Sequence, residues 1–147
     1  MIGGHMAKAK SVKVVLEEGA YLPERAHATD AGADLRARED VLVPARSIAF
    51  VNTGVHMELP HEMVASVVPK SGLFRHAGLF THGTIDEGYD GSIGITVANL
   101  SDTPYLFHRG DKVAQLVIQR VEYVGFERAV VIFGGERGSD GFGSTGK

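Results

Sequence analysis

The strongest constraint on the fold is a series of short apolar segments that Gly and Pro interrupt along the whole chain. In residues 92–97, Ile93, Ile95 and Val97 alternate with small or polar residues, which is typical of a strand with one buried face. Residues 63–68 are apolar on both faces, as expected of a strand that is covered on both sides. Many short strands separated by turns predict an all-β barrel or sandwich.

Two segments have residues that favour a helix. Residues 24–39 are rich in Ala, Arg and Glu, but Gly32 in their middle opposes a helix there. Residues 71–76 are predicted to form one short helix, with Ser71 as its N-cap. The chain has no internal repeat and is therefore predicted to fold as one unit.

The composition fits a single globular domain. The length of 147 residues is close to that of an average domain, and 44% hydrophobic and 22% charged residues are ordinary proportions. No apolar run is long enough to span a membrane, and no signal peptide is visible at the start. We therefore expect a cytoplasmic protein that does not associate with membranes.

Charge and cysteine content exclude several classes of function. The net charge is −3 and no block of basic residues occurs, so stable binding of nucleic acid is not expected. Because cysteine is absent, disulfides, thiol catalysis and thiolate metal sites are excluded together. A small polyanionic ligand would need locally placed cations or a metal ion.

The composition divides the chain into three parts. Residues 1–6 are typical of a remnant of an expression tag, residues 7–133 form the predicted β domain, and residues 134–147 form a glycine-rich, flexible arm. The arm contains Arg137 and Phe142, which a simple linker does not require. Backbone N–H groups and an Arg can bind phosphate while an aromatic ring covers a base. A disordered tail is the alternative interpretation.

Residues 69–72 place a cation, a hydroxyl and a glycine where the short helix is predicted to begin. The free N–H groups and the positive end of the helix dipole at such a position favour phosphate binding. An ordinary capped helix would have the same residues, so this segment alone does not decide the function.

Residues 83–91 combine glycines with Asp86 and Tyr89. Their spacing predicts a tight hairpin whose backbone can approach a ligand closely. Asp86 could orient and deprotonate a water molecule, and Tyr89 could offer a flat face to a sugar ring. A hairpin loop with solvated carboxylates is the alternative. Nearer the start of the chain, Asp34 could hold Mg²⁺ through the waters of the ion.

Five segments closely resemble, in order, the five motifs of the dUTP pyrophosphatases (dUTPases): 28–35, 69–73, 83–91, 109–116 and 137–146. The resemblance extends from about Lys10 to the end of the chain. It implies a jelly-roll-like β-barrel, usually a homotrimer with active sites at subunit interfaces, in which the arm closes over the substrate. It also implies hydrolysis of dUTP to dUMP and pyrophosphate, which supplies dUMP for dTMP synthesis and keeps uracil out of DNA.

The resemblance implies a role for each matching residue. Asp86 would orient the water that attacks the α-phosphorus, and Tyr89 would stack under the deoxyribose and reject a ribose 2′-hydroxyl. Asp34 would hold Mg²⁺ through water. The backbone of the hairpin would read the uracil edge, and this part of the site includes Gly83, Thr84 and Ile85.

The phosphates and the base have further expected partners. The residues implied to contact the phosphates are Lys70, Ser71, Gly72 and Gln115. In the arm, Arg137 would reach the γ-phosphate and Phe142 would cover the uracil. The remaining residues of the closing arm are Gly143, Ser144 and Thr145. No covalent nucleophile is needed for attack by water, which agrees with the lack of a thiol.

The chain departs from the pattern of the family at three positions. Lys70 stands where the family usually has Arg, so that a bidentate contact becomes a point charge. Asp90 replaces a residue that is commonly basic, and Asp140 stands where Gly is frequent. Both acids add negative charge near a site for a polyanion, and we expect them to face outward.

Two alternatives remain open from the sequence. The dCTP deaminases share a similar hairpin motif, but this resemblance requires a catalytic Glu on the following strand, where the chain has Thr96. A non-catalytic nucleotide-sensing module is also compatible with the fold. The joint presence of Asp86, Tyr89, Arg137 and Phe142 argues against such a module, because a binder has no need of a carboxylate that orients water.

Overall fold

The computed structural model describes residues 10–141, 143 and 145–146. Within them the chain forms short strands and one helix. Their bounds are β1 Lys13–Leu16, β2 Gly32–Arg36, β3 Val41–Val43, β4 Ile48–Asn52, β5 Val55–Glu58, β6 Met63–Pro69, α1 Ser71–Ala77, β7 Leu79–Thr81, β8 Gly83–Ile85, β9 Gly94–Asn99, β10 Tyr105–Phe107 and β11 Lys112–Arg120.

The strands form four antiparallel sheets. The largest has the order β2-β11-β6-β8, and a second has the order β4-β9-β7. Two further pairs, β1 with β5 and β3 with β10, complete the arrangement. This mostly β architecture with a single short helix confirms the predicted all-β, jelly-roll-like class.

The core lies between the two larger sheets. Ile93, Ile95 and Val97 are at most 2% exposed, which confirms the face predicted from their alternation. Ala114 and Leu116 of β11 are buried in the same cluster, whereas Gln115 between them is only partly buried and faces the other side. Strand β6, apolar on both faces, lies between β11 and β8.

The helix α1 differs in one detail from the prediction. It begins at Ser71, but the capping position belongs to Lys70, which is extended with φ −78° and ψ 127° and makes no side-chain capping bond. The prediction of Ser71 as the N-cap is wrong, because β6 runs up to Pro69 and leaves Lys70 as the last extended residue. Gly78 ends the helix in the left-handed conformation, and its N–H contacts the carbonyl groups of Leu73 and Phe74.

The predicted hairpin at residues 83–91 is also wrong. Strand β8 pairs with β6, while β9 pairs with β4 and β7, so the two strands that flank the loop belong to different sheets. The loop contains a tight turn in which the Tyr89 N–H donates to the Asp86 carbonyl over 3.1 Å. Gly88 has φ +87°, as the third position of a type II turn requires.

After β11 the chain adopts no regular structure within residues 121–141. Its large apolar side chains are exposed, among them Phe126 at 98% and Phe133 at 97%. Residues 24–39 contain strand β2 and an isolated bridge between Glu24 and Asp34 in place of a helix. No helix in the described part of the chain is both long and apolar enough to cross a membrane.

Candidate active site

A cleft of about 280 Å³ brings together three of the segments that the sequence singled out. Strand β2 contributes Asp34, the junction of β6 and α1 contributes Lys70, and β11 contributes Gln115. These residues are distant in sequence, but β11 pairs with both β2 and β6. The residue predicted to hold Mg²⁺ and two of those predicted to contact the phosphates therefore share one cleft.

Asp34 is the centre of charge in this cleft. Its carboxylate is buried, and its two oxygens contact Lys70 Nζ at 2.5 Å and Lys112 Nζ at 2.8 Å. Burial acts to raise the pKa of Asp34, but the hydrogen bonds and charges of Lys112 and Lys70 outweigh it and lower the pKa. The carboxylate holds two ammonium groups side by side, so that an anion in the cleft could contact both.

Lys112 is a cleft residue that sequence reasoning missed. In a regular strand, residues three positions apart point to opposite faces, so Lys112 and Gln115 would not share a surface. The register between β11 and β2 shifts between Lys112 and Ala114, which is a β-bulge. Because a bulge changes the direction of the side chains on one side of it, Lys112 points into the same cleft as Gln115.

Gln115 depends on a neighbouring glycine. Its Nε2 donates to the Pro69 carbonyl over 3.1 Å, which places the amide beside the start of α1. A Cβ atom at Gly32 would lie only 2.2 Å from Gln115 Oε1 and 3.0 Å from its Cβ. The glutamine side chain therefore occupies the space that a side chain at position 32 would need.

The first turn of α1 borders the cleft at Lys70. The first N–H groups of a helix have no partner within the helix, and here they belong to Ser71 and its neighbours. Apart from its chain neighbours and the nearby backbone of α1, no atom lies within 4 Å of the position that a Cβ on Gly72 would occupy. A ligand could therefore approach the backbone at Gly72 closely.

Asp86 and Tyr89 lie on the turn after β8. Ile85 before them is buried, whereas the Asp86 side chain is exposed. Tyr89 is 48% exposed, and its hydroxyl donates to the Ser92 carbonyl over 3.0 Å. The ring lies over Gly91, where a Cβ would come within 2.4 Å of the Tyr89 hydroxyl oxygen. The absence of a side chain at Gly91 thus leaves room for the Tyr89 ring to lie against the backbone there.

The backbone of the same loop is held by a histidine that sequence reasoning missed. His56 Nδ1 lies 2.7 Å from the Asp90 carbonyl, and its Nε2 lies 2.9 Å from Glu17 Oε1. Both partners are acceptors, and the Asp90 carbonyl first, then Glu17, raise the pKa of His56. Arg38 pairs with the same glutamate.

The two halves of the candidate site stand at opposite ends of β6. Ile85, the residue before Asp86, pairs with Ala65, whereas Lys70 follows Pro69 at the other end of the strand. Ala65 and Lys70 are five positions apart, which corresponds to about 17 Å of strand. Within one chain, Asp86 is therefore too far from the cleft to act on a phosphate held there.

The arm is exposed within the described residues. Arg137 Nη2 donates to the Gly141 carbonyl over 3.4 Å, and a local turn joins Arg137 to Asp140. Gly143 has φ +79°, a conformation that suits glycine, and Thr145 is exposed. Phe142 and Ser144, which the sequence assigned to the base and the phosphates, lie outside the described residues.

These features define a class of protein. An all-β scaffold carries a cleft with two lysines and a buried carboxylate, and a separate exposed carboxylate on a glycine turn. Such a set is suited to the hydrolysis of phosphate anhydrides by an activated water molecule.

Comparison with known proteins gives the family. The sequence profile of the dUTPase family matches residues 18–146. The deoxyuridine 5'-triphosphate nucleotidohydrolase of Mycobacterium tuberculosis is 45% identical over 144 residues, covering 90% of this chain and 92% of that protein. The Corynebacterium glutamicum protein of the same name is 42% identical over 147 residues, with 97% and 99% covered. The chain belongs to the dUTPase family.

Solved structures agree with this assignment. The dUTPase of Staphylococcus bacteriophage 80alpha with dUpNHpp has a TM-score of 0.87 at 28% identity, covering 95% of this chain and 100% of that one. A variant dUTPase from phage phi11 of S. aureus has a TM-score of 0.76 at 29% identity, covering 84% and 99%.

Proposed function

We propose that Asp86 activates the water that attacks the α-phosphorus of dUTP, the substrate that this chain hydrolyses to dUMP and pyrophosphate. The observation that carries the proposal is the exposed carboxylate on a turn fixed by Gly88 and by the bond from Tyr89. A carboxylate held beside a bound phosphate can orient a water in line and accept its proton.

The base and sugar are proposed to bind beside the turn. Strand β8 pairs with β6 and is the last strand of its sheet, so the backbone groups on its other side are available to a ligand. Gly83, Thr84 and Ile85 would use these groups to read the uracil edge. The Tyr89 ring would support the deoxyribose and leave no space for a 2′-hydroxyl.

The triphosphate is proposed to bind in the cleft of Asp34. Lys70 and Gln115 would contact its oxygens, with the backbone of Ser71 and Gly72. We add Lys112 to this group, because its ammonium shares the Asp34 carboxylate with that of Lys70. The two ammonium groups that Asp34 holds side by side would supply two point charges to the triphosphate, in place of the bidentate contact of an Arg.

The donor set of the cleft fits Mg²⁺ only through water. Within the described residues no group of three acidic or histidine side chains could hold a metal directly, and both Asp34 oxygens face ammonium groups. Mg²⁺ usually retains several waters and binds substrate phosphates. Asp34 would accept hydrogen bonds from such waters, and the bound ion would neutralise phosphate charge. The phage phi11 dUTPase coordinates a structural Mg(II) ion.

We propose a homotrimer with active sites between subunits. The separation of about 17 Å between the Asp86 turn and the cleft supports an arrangement in which the two halves come from different copies. Apolar side chains available for such contacts lie on β4 and β7: Ile48 is 67% exposed, Phe50 64% and Phe80 41%. A surface of this kind is typical of an interface between copies.

The arm, residues 134–147, is proposed to close over the bound nucleotide. Arg137 would contact the γ-phosphate and Phe142 the uracil. The other contacts of the closed arm would come from Gly143, Ser144 and Thr145. Closure would exclude bulk water and require a triphosphate, and it would thereby give specificity for the length of the phosphate chain. We place the reaction in the cytoplasm, where it would supply dUMP for dTMP synthesis and keep uracil out of DNA.

The substrate range tests the proposed function. The chain is incubated with dUTP, dCTP or UTP and Mg²⁺, and pyrophosphate and ammonia are measured. We expect pyrophosphate from dUTP alone. Ammonia from dCTP would indicate the deaminase alternative, and absence of any product would indicate a binding module.

The role of Asp86 is tested by Asp86→Asn. We expect kcat to fall by about 10²- to 10⁴-fold, because a general base contributes about this much, while the binding of dUpNHpp persists. The matched control is Asp90→Asn, which removes a neighbouring charge that has no role in the proposed chemistry. A near-normal kcat for Asp86→Asn would remove this carboxylate from the mechanism.

A further inference from the structure

The residue next to Asp86 has a dense set of contacts that neither the motif nor the proposed chemistry explains. The carboxylate of Glu87 accepts hydrogen bonds from His61 Nδ1 at 2.7 Å, from the Glu62 backbone N–H at 3.0 Å and from the Tyr123 hydroxyl at 2.5 Å. Three donors from two other parts of the chain thus converge on one side chain of the turn.

The charges of this cluster are well defined. The hydrogen bond from Tyr123 first, and then that from His61, lower the pKa of Glu87 to about 2. In return the Glu87 carboxylate raises the pKa of Tyr123 to about 12. Near neutral pH the pair is therefore a carboxylate acceptor and a phenol donor, which is the stronger kind of hydrogen bond.

The contacts hold the turn itself. Glu87 and Gly88 are the two central residues of turn 86–89. The orientation of the peptide between Asp86 and Glu87 contributes to the direction of the Asp86 Cα–Cβ bond. Fixing the Glu87 side chain at three donors limits the rotation of that peptide. The direction of the Asp86 carboxylate is thereby restricted.

The second partner, Glu62, joins the turn to the chain after β11. Glu62 has φ +60°, an unfavourable conformation for a residue with a side chain. Its N–H donates to Glu87, and its carbonyl accepts from the Val121 N–H over 3.0 Å. Tyr123 lies two residues beyond Val121, so one cluster links the turn of Asp86 to the segment that leads into the arm.

We propose that Glu87 is a positioning residue for the hydrolysis. It directs the Asp86 carboxylate by holding turn 86–89 against Glu62 and Tyr123, and it anchors that turn to the segment that follows β11. This inference rests on the proposed role of Asp86 in activating water. A glutamate that only stabilised the fold would affect stability and the fraction of active protein, but it would not affect the turnover of correctly bound substrate.

The test uses the full chain with Glu87→Gln and Tyr123→Phe. The amide of Glu87→Gln keeps the size of the side chain but replaces one acceptor oxygen by a donor. We expect kcat for dUTP to fall about tenfold, since small misplacements of reacting groups have effects of this order or larger. The Kd and the stoichiometry for dUpNHpp should stay within about twofold of the original values. Tyr123→Phe should give a smaller loss of the same kind.

Controls separate positioning from stability. Glu58→Gln changes an exposed glutamate on β5 in the same way and should leave kcat unchanged. The double variant Glu87→Gln with Tyr123→Phe should lose no more than Glu87→Gln alone, because both changes break one contact. An unchanged kcat, or a loss that follows a fall in binding stoichiometry, would overturn the proposal.

The same experiments distinguish this inference from the role of Asp86. If Asp86→Asn is inactive and Glu87→Gln is normal, only the positioning role fails. If Asp86→Asn keeps its activity, the proposed function of Asp86 fails first, and the inference about Glu87 fails with it.

Discussion

Gly32→Ala is expected to weaken the binding of the triphosphate without unfolding the protein. The added Cβ would lie 2.2 Å from Gln115 Oε1, where ordinary contact needs about 3.4 Å, so the end of the glutamine side chain must move by about 1 Å or more. Gln115 is only partly buried, so the end of its side chain can rotate away from β2, and the contact of 3.0 Å with its Cβ requires a shift of a few tenths of an ångström between the two strands. Its bond of 3.1 Å to the Pro69 carbonyl would then be lost.

The energetic consequences for folding nearly cancel. Loss of one neutral hydrogen bond costs about 1 kcal/mol, and replacing Gly by Ala in a strand gains about 0.5–1 kcal/mol. The free energy of unfolding should therefore stay within about 1 kcal/mol. A hydrogen bond from Gln115 to a phosphate would contribute about 1.5–3 kcal/mol, so its loss should lower kcat/KM for dUTP by about tenfold to one hundredfold.

A double-mutant cycle measures this effect directly. Urea unfolding and dUTP kinetics are recorded for Gly32→Ala, for Gln115→Ala and for the double variant. If Gly32→Ala acts through Gln115, the double variant should lose no more activity than Gln115→Ala alone. The control for the effect of replacing a glycine by alanine is Gly125→Ala, because the added Cβ would meet nothing within 4 Å there.

Two results would refute this reasoning. A normal kcat/KM for Gly32→Ala would mean that the glutamine either stays in place or does not contact the substrate. Additive losses in the double variant would mean that the alanine acts by a route other than Gln115.

Three further predictions follow from other parts of the structure. Asn99→Ala should cost about 2–4 kcal/mol in urea unfolding, because this buried amide bonds two carbonyl groups and both polar groups of Ser101; a cost below about 1 kcal/mol would contradict its role. The Asp90 carbonyl raises the pKa of His56 in the folded protein. Protonated His56 therefore stabilises the fold fully below about pH 6.5, the pKa in the unfolded chain, and this stabilisation is lost as the pH rises through the higher pKa of the folded protein. Urea midpoints should fall over that range, and His56→Gln should reduce the fall; an equal fall would exclude His56. Truncation after Gly134 should abolish most dUTP hydrolysis with unchanged unfolding, whereas full activity would make the arm a loose tail.

The sequence predicted much of the fold. Alternation placed Ile93, Ile95 and Val97 on a buried face, and the apolar residues 63–68 form a strand between two others. These predictions succeed because burial on one face or both leaves a direct pattern in the order of residues. The predicted hairpin failed, because turn residues show where a chain bends but not which strands pair afterwards.

The candidate site was likewise predicted only in part from the sequence. The ordered motifs identified Asp34, Lys70 and Gln115 from sequence, and the structure brings them into one cleft. The roles of these residues, and those of Asp86 and the arm, stay predictions that the proposed experiments test. Glu87 carried no signal in sequence, since its donors are separated from it by 25 to 36 positions.

The order of residues by itself determined the β class, the family and the chemical groups available for catalysis, because hydrophobic alternation and short motifs are local properties. Only the tertiary structure decided which of these groups meet. The bulge in β11 turned Lys112 toward Asp34 against the simple alternation, and the pairing of β8 with one end of β6 separated Asp86 from the cleft. Both depend on strand register, which is set by contacts between distant segments.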